Sequence, residues 1–196
     1  MPSDSPRLYG LPPIADHRTQ LLVLGSFPSA TSLARQQYYA HPQNQFWTIL
    51  QAIWPSSQGM VCANSYEKRS QLLLDHGLGV WDVYASCERQ GSLDAAIRKP
   101  EVNDFARLLT LCPQLRAIAH NGGESYRYAR HVISCLSPVL ASHMAHIGAD
   151  DGADNGVLGS GLPVYKLPST SPANASWSLE RKLEAWRKVV AAAGLL

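Results

Sequence analysis

Short apolar runs alternate along this chain with stretches whose apolar residues recur at helical spacing. The apolar runs predict four buried strands, at residues 21–24, 80–84, 116–120 and 164–167. The helical spacing predicts five helices, at residues 44–54, 66–76, 104–112, 124–136 and 178–193. Strands that alternate with helices favour a parallel sheet with helices on both faces. The pattern therefore predicts an α/β fold, a three-layer α/β/α domain around a central, mostly parallel four-stranded sheet.

Two segments fall outside this alternation. Residues 1–20 contain four prolines and predict an irregular N-terminal arm that wraps onto the domain. Residues 148–161 are rich in Gly and Asp and predict a mobile loop. They do not match a calcium loop, because Gly and Ala stand where side-chain oxygens would be needed. A length of 196 residues suits one domain with a well-buried core, so we expect residues 1–196 to form a single domain.

Charge and cysteine content narrow the function only slightly. The formal net charge of +2 suits a small nucleic-acid footprint and equally suits most enzymes. The four cysteines have no close C-x-x-C spacing, and the pair His143 and His146 has no further ligand at metal-binding spacing. We therefore expect reduced thiols in a cytoplasmic protein, with no metal and no cofactor. No apolar run is long enough to span a membrane, so no membrane partner is expected.

The unusual polar residues follow the predicted strands. In a parallel α/β sheet, sites collect at the carboxyl ends of the strands. We therefore expect the loops after the four strands to share one rim of the sheet. These loops contain Gly25-Ser-Phe-Pro28, Gly91-Ser92, Asn121-Gly-Gly123 and Pro168-Ser-Thr-Ser-Pro172.

Two neighbouring stretches of the chain form its most informative motif. They are Gly25-Ser-Phe-Pro-Ser29 and Tyr38-Tyr-Ala-His-Pro-Gln-Asn-Gln-Phe-Trp47, a combination that core packing does not require. The motif resembles the first motif of the uracil-DNA glycosylase superfamily, in the form typical of its hypoxanthine-DNA glycosylase branch. The resemblance spans roughly residues 20 to 190. Further matching blocks are Trp81-Asp-Val83, Gly91-Ser-Leu-Asp94, His120-Asn-Gly122 and Leu167-Pro-Ser-Thr-Ser-Pro-Ala-Asn-Ala175.

The resemblance implies a metal-free DNA glycosylase that extrudes a deaminated base into a pocket. Tyr39 matches the position of the aromatic ring that stacks on the extruded base, and Phe27 would form a second wall. Gly25 and Ser26 would complete the base-binding loop. The alternative for Tyr39 is a core tyrosine. Serine at position 26 agrees with the hypoxanthine branch, whereas several uracil-cleaving branches carry Asn or Asp there.

Asn44 matches the position that supplies a catalytic amide in hypoxanthine-DNA glycosylases. Cleavage of an N-glycosidic bond passes through an oxocarbenium-like sugar that water attacks, so a neutral amide oxygen suffices to hold that water. The alternative is structural: Asn directly before an apolar helical stretch is also a good N-cap.

Asn121 and the loop after the fourth strand complete the predicted site. Asn121 can offer both amide groups to the base edge, although Asn-Gly is also common in plain turns. His120 stands where the family usually has Phe, which predicts a changed base preference or an added donor near the pocket. The loop residues predicted to hold the DNA backbone, or else to form a plain strand-to-helix connection, are Ser169, Thr170, Ser171, Pro172 and Ala173. The basic residues predicted to form a solvated face of the last helix are Arg181, Lys182, Arg187 and Lys188.

The expected activity is removal of hypoxanthine from deoxyinosine, by a monomer that acts on double-stranded or also single-stranded DNA and leaves an abasic site. Three alternatives stay open. The first is a uracil- or mismatch-directed glycosylase on the same fold. The second is a small serine hydrolase with Ser26 as nucleophile, for which the sequence has no G-x-S-x-G elbow. The third is a DNA-binding module without catalysis.

Overall fold

The computed structural model describes residues 6–55, 65–140, 156–157 and 161–196. Its main sheet has five strands in the order β3-β2-β6-β8-β7, and a smaller sheet has the order β1-β4-β5. In chain order the elements are β1 (Arg7–Tyr9), β2 (Leu21–Gly25), α1 (Ala30–Arg35), α2 (Phe46–Ile53), α3 (Tyr66–Asp75), β3 (Leu78–Asp82), β4 (Tyr84–Glu88), β5 (Arg98–Val102), α4 (Leu108–Leu111), β6 (Ala117–Asn121), α5 (Gly123–Tyr126), α6 (Ala129–Leu140), β7 (Gly156–Val157), β8 (Pro163–Leu167) and α7 (Leu179–Ala192).

The main sheet confirms the predicted fold class. Strands β3, β2, β6 and β8 are parallel to one another, and short β7 pairs antiparallel with the edge of β8. Successive side chains of a strand point to opposite faces of the sheet, so each strand contributes residues to two hydrophobic cores, one on each face. Leu21 and Val23 pack in the cluster that contains α2, α3 and α7. Leu22 and Leu24 pack in the cluster that contains α4 and α6. The domain therefore has three layers.

One predicted strand, at residues 80–84, is two strands in the structure. The parallel strand β3 ends at Asp82, and the chain turns at buried Val83 to begin β4 in the smaller sheet. The turn is held by backbone hydrogen bonds from Val83 and Tyr84 to the carbonyls of Gly25 and Ser26, at 2.8 and 3.0 Å. The sequence hides this turn, because apolar residues stand on both sides of Asp82 and both strands are largely buried.

The N-terminal arm also has more structure than predicted. Arg7–Tyr9 forms β1, which pairs antiparallel with β4, and Ile14 forms a bridge with Val80. Backbone pairing with distant residues leaves no local signal in a proline-rich segment. The segment 148–161, predicted as a loop, lies mostly outside the described residues, and Gly156–Val157 within it forms β7.

The helices follow the predicted pattern with three differences. Residues 30–35 form α1, which was not predicted and which Ser29 caps by accepting from the Ser32 N–H. The predicted helix at 124–136 is divided into α5 and α6. The predicted helix at 104–112 begins with a 3-10 turn, Phe105–Arg107, before α4. Within the described ranges, no helix combines the length and apolar character that crossing a bilayer requires.

Candidate active site

The loops after the four parallel strands meet at one cavity of about 330 Å³. Its volume falls within the range of small-molecule sites. It lies at the carboxyl edge of the main sheet, as predicted. Every predicted site residue except Pro172 lines it: Gly25, Ser26, Phe27, Tyr39, Asn44, Asn121, Ser169, Thr170, Ser171 and Ala173. The lining residues that the sequence did not single out as site residues are Pro28, Ser29, Ser32, Tyr38, Asp82, Ser92, Leu93, Asp94 and Asn174.

Asn44 lies at the cavity wall immediately before α2. Its Oδ1 accepts a hydrogen bond from the Phe46 N–H at 3.0 Å, while Gln45 occupies the formal N-cap position without a capping side-chain bond. The side chain therefore stabilises the start of α2, which is the role that the helix-capping interpretation of Asn44 predicted. An amide oxygen accepts two hydrogen bonds, so this contact leaves capacity for a substrate water. The two interpretations of Asn44 are compatible.

Two aromatic side chains wall the cavity. The Tyr39 ring stacks on Phe46, with centroids 3.9 Å apart and planes inclined by 21°. Tyr39 has a positive φ of 54°, an uncommon conformation for a non-glycine residue. Burial raises the pKa of its phenol, which therefore stays neutral at physiological pH. On the other wall, Phe27 is buried and the Arg89 guanidinium lies 5.0 Å from its ring centroid.

Asn121 is held by a reciprocal pair of hydrogen bonds to Thr170. Its Nδ2 donates to Thr170 Oγ1, and its Oδ1 accepts from the Thr170 N–H, both at 3.0 Å. Thr170 is completely buried. This differs from the prediction that Thr170 contacts a phosphate, because its hydroxyl and N–H hold Asn121 instead. These two bonds use half of the hydrogen-bonding capacity of the Asn121 amide, and the remaining half lies near the Tyr39 phenol at the cavity.

Gly122 allows strand β6 to approach the loop after β8 closely. Its φ is +113°, and a Cβ at this position would lie 3.1 Å from the Cβ of Ser169. Only glycine adopts this conformation without strain. The sequence prediction that the Asn-Gly-Gly turn permits a close backbone approach agrees with this geometry, although the backbone it approaches is that of the protein itself.

Lys182 ties the two main motifs together. It is 2% exposed, and its Nζ donates to Gln45 Oε1 at 2.8 Å and to the Asn174 carbonyl at 3.1 Å. The Gln45 N–H in turn donates to the Thr170 carbonyl at 3.0 Å. The prediction of a solvated helix face is therefore wrong for Lys182. Burial lowers the pKa of its ammonium group. Local sequence shows four basic residues at helical spacing and cannot show which of them faces a loop.

Asp82 and Asp94 were quoted in the matching blocks without a role, and both line the cavity. Asp94 accepts a hydrogen bond from Ser26 Oγ at 2.7 Å, which occupies the hydroxyl. The part of the chain that the structure describes places no histidine against the cavity, so Ser26 has no base there. This arrangement does not support the serine hydrolase alternative. Burial raises the pKa of Asp82 to about 8, with a further contribution from Asp94.

His120 lies in the protein interior and does not line the cavity. Its Nδ1 lies 2.7 Å from Ser125 Oγ, and that hydroxyl donates to the Leu24 carbonyl at 2.8 Å. Nδ1 therefore carries the proton and donates to Ser125. The idea that His120 adds a donor near the pocket is not supported, because the ring packs at 5.8 Å from Tyr126 in an edge contact. Burial lowers the pKa of His120 to about 4.

The buried His120 predicts a pH dependence of stability. In the unfolded chain this histidine takes up a proton near pH 6.5, whereas the folded protein does so only near pH 4. The histidine therefore favours unfolding as the pH falls through this window. Relative to wild type, His120→Phe should gain up to about 3 kcal/mol in unfolding free energy between pH 7 and pH 4. Urea unfolding of both proteins across this range measures the difference.

The exposed Thr110 provides the control, because Thr110→Ala removes no titratable group and should therefore shift stability equally at every pH. Asp82 has the opposite effect: because its pKa is raised on folding to about 8, it contributes stability that is lost as the pH rises toward that value. This contribution is the same in both proteins and therefore cancels from the comparison. A difference between His120→Phe and wild type that does not change with pH would contradict the prediction.

The fold and the cavity define an α/β/α enzyme with a polar site at the carboxyl edge of its parallel sheet. Residues 12–190 match the family described as the Uracil DNA glycosylase superfamily, and the chain belongs to that superfamily of DNA glycosylases. A protein of Methanosarcina acetivorans named hypoxanthine DNA glycosylase is 35% identical over 181 residues, which cover 92% of this chain and 96% of the relative. One from Methanosarcina barkeri with the same name is 35% identical over 119 residues, covering 61% and 73%.

A solved structure agrees with this assignment. The solution NMR structure of a candidate uracil DNA glycosylase from Methanosarcina acetivorans superposes with a TM-score of 0.70 at 31% sequence identity. The match covers 96% of this chain and 99% of that protein. The resemblance inferred from the sequence motifs is thus confirmed at the level of the family and of the fold.

Proposed function

We propose that this protein removes hypoxanthine from deoxyinosine in DNA and leaves an abasic site for base excision repair. The observation that carries the proposal is the meeting of three side chains from two separate motifs in one cavity: Tyr39 and Asn44 from the first motif, and Asn121 from the end of β6. The identity of 35% to a hypoxanthine DNA glycosylase over nearly the whole chain supports the same substrate.

The first step is extrusion of the damaged nucleotide from the DNA stack. The enzyme must replace the stacking that the base loses. Tyr39 and Phe27 supply aromatic surface on the cavity walls, and the Tyr39 ring is itself supported by its stack on Phe46. Asn121 is fixed by Thr170 and lines the cavity, and we assign its remaining donor and acceptor to the base edge. We therefore assign Thr170 the role of positioning Asn121.

The second step is hydrolysis of the bond between the base and the sugar. The glycosidic bond breaks with the electron pair going to the base, and the sugar develops oxocarbenium character. Asn44 Oδ1 holds the water whose oxygen then bonds to the sugar carbon. The proton that this water loses neutralises the departing base anion through solvent. A neutral amide suffices because the sugar is already electrophilic when water attacks.

The loop at residues 168–175 is the surface that we assign to the DNA backbone. Ser169 and Ser171 are partly exposed, and Pro172 and Ala173 are exposed at its tip. The loop is ordered from within, since Ser169 Oγ accepts from the Ser171 N–H at 3.2 Å and Ser171 Oγ accepts from the Ala173 N–H at 3.3 Å. Both serine hydroxyls act as acceptors in these bonds, so each keeps its own O–H to donate to a phosphate.

The cavity chemistry favours a monofunctional, hydrolytic enzyme. Among the described residues, no lysine lines the cavity, and Lys182 is bound to Gln45 and Asn174 instead. No group of metal-binding side chains occurs within the described ranges. We further propose that the protein acts as a monomer on double-stranded DNA in the cytoplasm. The described cysteines Cys87, Cys112 and Cys135 are free thiols, in keeping with a reducing compartment.

Base release from labelled duplexes tests the proposal. Each duplex carries one deoxyinosine, uracil or xanthine, or only normal bases, and is cleaved afterwards at abasic sites with alkali. We expect cleavage at deoxyinosine only after alkali, because the enzyme itself leaves the strand intact. Single-stranded oligonucleotides of the same sequence measure the preference for strand state. Release of uracil alone would overturn the hypoxanthine assignment, and a nick without alkali would overturn the monofunctional mechanism.

A further inference from the structure

Asp82 is a buried carboxyl group that faces the active-site cavity. It is the last residue of β3, it is 3% exposed, and it lines the cavity. Its Oδ1 lies directly over Gly25, since a Cβ built on that glycine would be 2.3 Å from this oxygen. Tyr39 Oη would lie 3.5 Å from that same Cβ position on Gly25. The carboxyl thus stands beside the ring that is proposed to stack on the base.

No described protein group neutralises this carboxyl. Its Oδ2 is buried and has no hydrogen-bond partner among the described residues. The nearby titratable groups are Asp94, which is of like charge, the phenols of Tyr38, Tyr39 and Tyr66, and Arg89, whose positive charge acts to lower the pKa of Asp82. The Arg89 guanidinium is directed to the Pro28 carbonyl and to the Phe27 ring, not to Asp82 in a salt bridge.

An unpaired charge in such a place is costly, so the group remains protonated at neutral pH. The raised pKa of about 8 agrees with this argument from geometry. A neutral carboxylic acid has one O–H donor and a carbonyl acceptor, whereas the ionised form has acceptors only. The neutral form is therefore the one that can give a hydrogen bond into the cavity.

We propose that Asp82 contacts the extruded base and donates a hydrogen bond from its neutral carboxyl to a carbonyl oxygen or ring nitrogen of that base. This inference rests on the proposed function and names a base-contacting residue for it. Deaminated bases such as hypoxanthine present a carbonyl beside a ring N–H, and a neutral carboxylic acid complements both. As the glycosidic bond breaks, the base gains negative charge, so a donated hydrogen bond strengthens in the transition state.

The test is single-turnover release of hypoxanthine from about pH 6 to about pH 10, with wild type, Asp82→Asn and Asp82→Leu. Asp82→Asn retains a donor and an acceptor and cannot ionise, so it should keep release within about tenfold at neutral pH. Asp82→Leu has no donor and should lose about 100-fold. Wild type should slow as the pH rises through the pKa of Asp82, and Asp82→Asn should not show this decline.

Any alkaline decline in the release rate of Asp82→Asn reports ionisation of the substrate. This decline is subtracted from the wild-type profile, and the remainder measures the ionisation of Asp82. Circular dichroism melting confirms that each variant is folded. Wild-type rates in Asp82→Leu, or an identical alkaline decline in wild type and Asp82→Asn, would overturn the Asp82 proposal and leave the glycosylase intact. If wild type releases only uracil or xanthine, the series is run on that base, which also carries a carbonyl beside a ring N–H. Failure of wild type to release any base would instead refute the proposed function.

Discussion

Replacing Asn44 by alanine is expected to slow base release on the order of 1,000-fold, the range for a residue that positions or activates the attacking water. The variant loses the amide oxygen that holds the water and also the contact to the Phe46 N–H. The lost helix-start contact should cost only about 1 kcal/mol of stability. Single-turnover release from deoxyinosine DNA and thermal unfolding, measured on the same preparation, separate the two effects.

Two further variants distinguish the catalytic role of Asn44 from its structural role. Asn44→Ser keeps a side-chain oxygen that can accept from the Phe46 N–H but that lies closer to the backbone. It should restore stability and not activity. Asn44→Asp keeps both the reach and the acceptor oxygen, so it should retain more activity than either other variant. If Asn44→Ser were as active as wild type, the residue would be a helix cap and the proposed water site would have to lie elsewhere.

Replacing Gly25 by alanine is expected to disturb both stability and catalysis. The new methyl group would lie 2.3 Å from Asp82 Oδ1, so the buried carboxyl has to move. Gly25 does not have a positive φ, and alanine therefore tests the space alone and not the backbone conformation. We expect a loss of about 1–3 kcal/mol in unfolding free energy, as for overpacking elsewhere. Base release should fall as well, because the carboxyl leaves its place in the cavity wall.

A control and a double variant make this prediction specific. A Cβ at Gly123, on the same rim of the sheet, would meet nothing within 4 Å, so Gly123→Ala should be nearly neutral. In an Asp82→Ala background the added methyl group has room, and Gly25→Ala should then cost little. The coupling energy of the double-mutant cycle should approach the cost of Gly25→Ala alone. Additive effects would show that the carboxyl is not what Gly25 accommodates.

The site residues could be recognised from sequence motifs, but the hydrogen bonds that hold them in place could not. Asn121 ends a strand that the apolar pattern located, and the family resemblance assigned Tyr39 and Asn44 to the same site, so their meeting in one site could be predicted. The pairing of Asn121 with Thr170, across 49 positions of the chain, could not. Neither could the link from Lys182 to Gln45, across 137 positions. Local spacing carries no information about which polar groups satisfy one another at such distances.

Asp82 shows why a residue within a matching motif can still be missed as part of the site. As one acidic residue after an apolar run, it looks the same in sequence whether it is solvated or buried. Its protonation depends on burial, on the like charge of Asp94 and on the direction of Arg89, which three separate chain segments set. His120 shows the converse, since its departure from the family pattern suggested a site residue and the structure places it in the interior.

The sequence by itself determined the layered α/β/α architecture, the four parallel strands and the family, because apolar periodicity and contiguous motifs are local properties of the chain. Only the tertiary structure decided that the chain turns at Val83 into a second sheet and that β1 pairs with β4. It also decided which polar groups line the cavity and which of them are charged. Hydrogen-bond partners and the solvation of a titratable group depend on residues that are distant in the chain, and these exist only once the chain has folded.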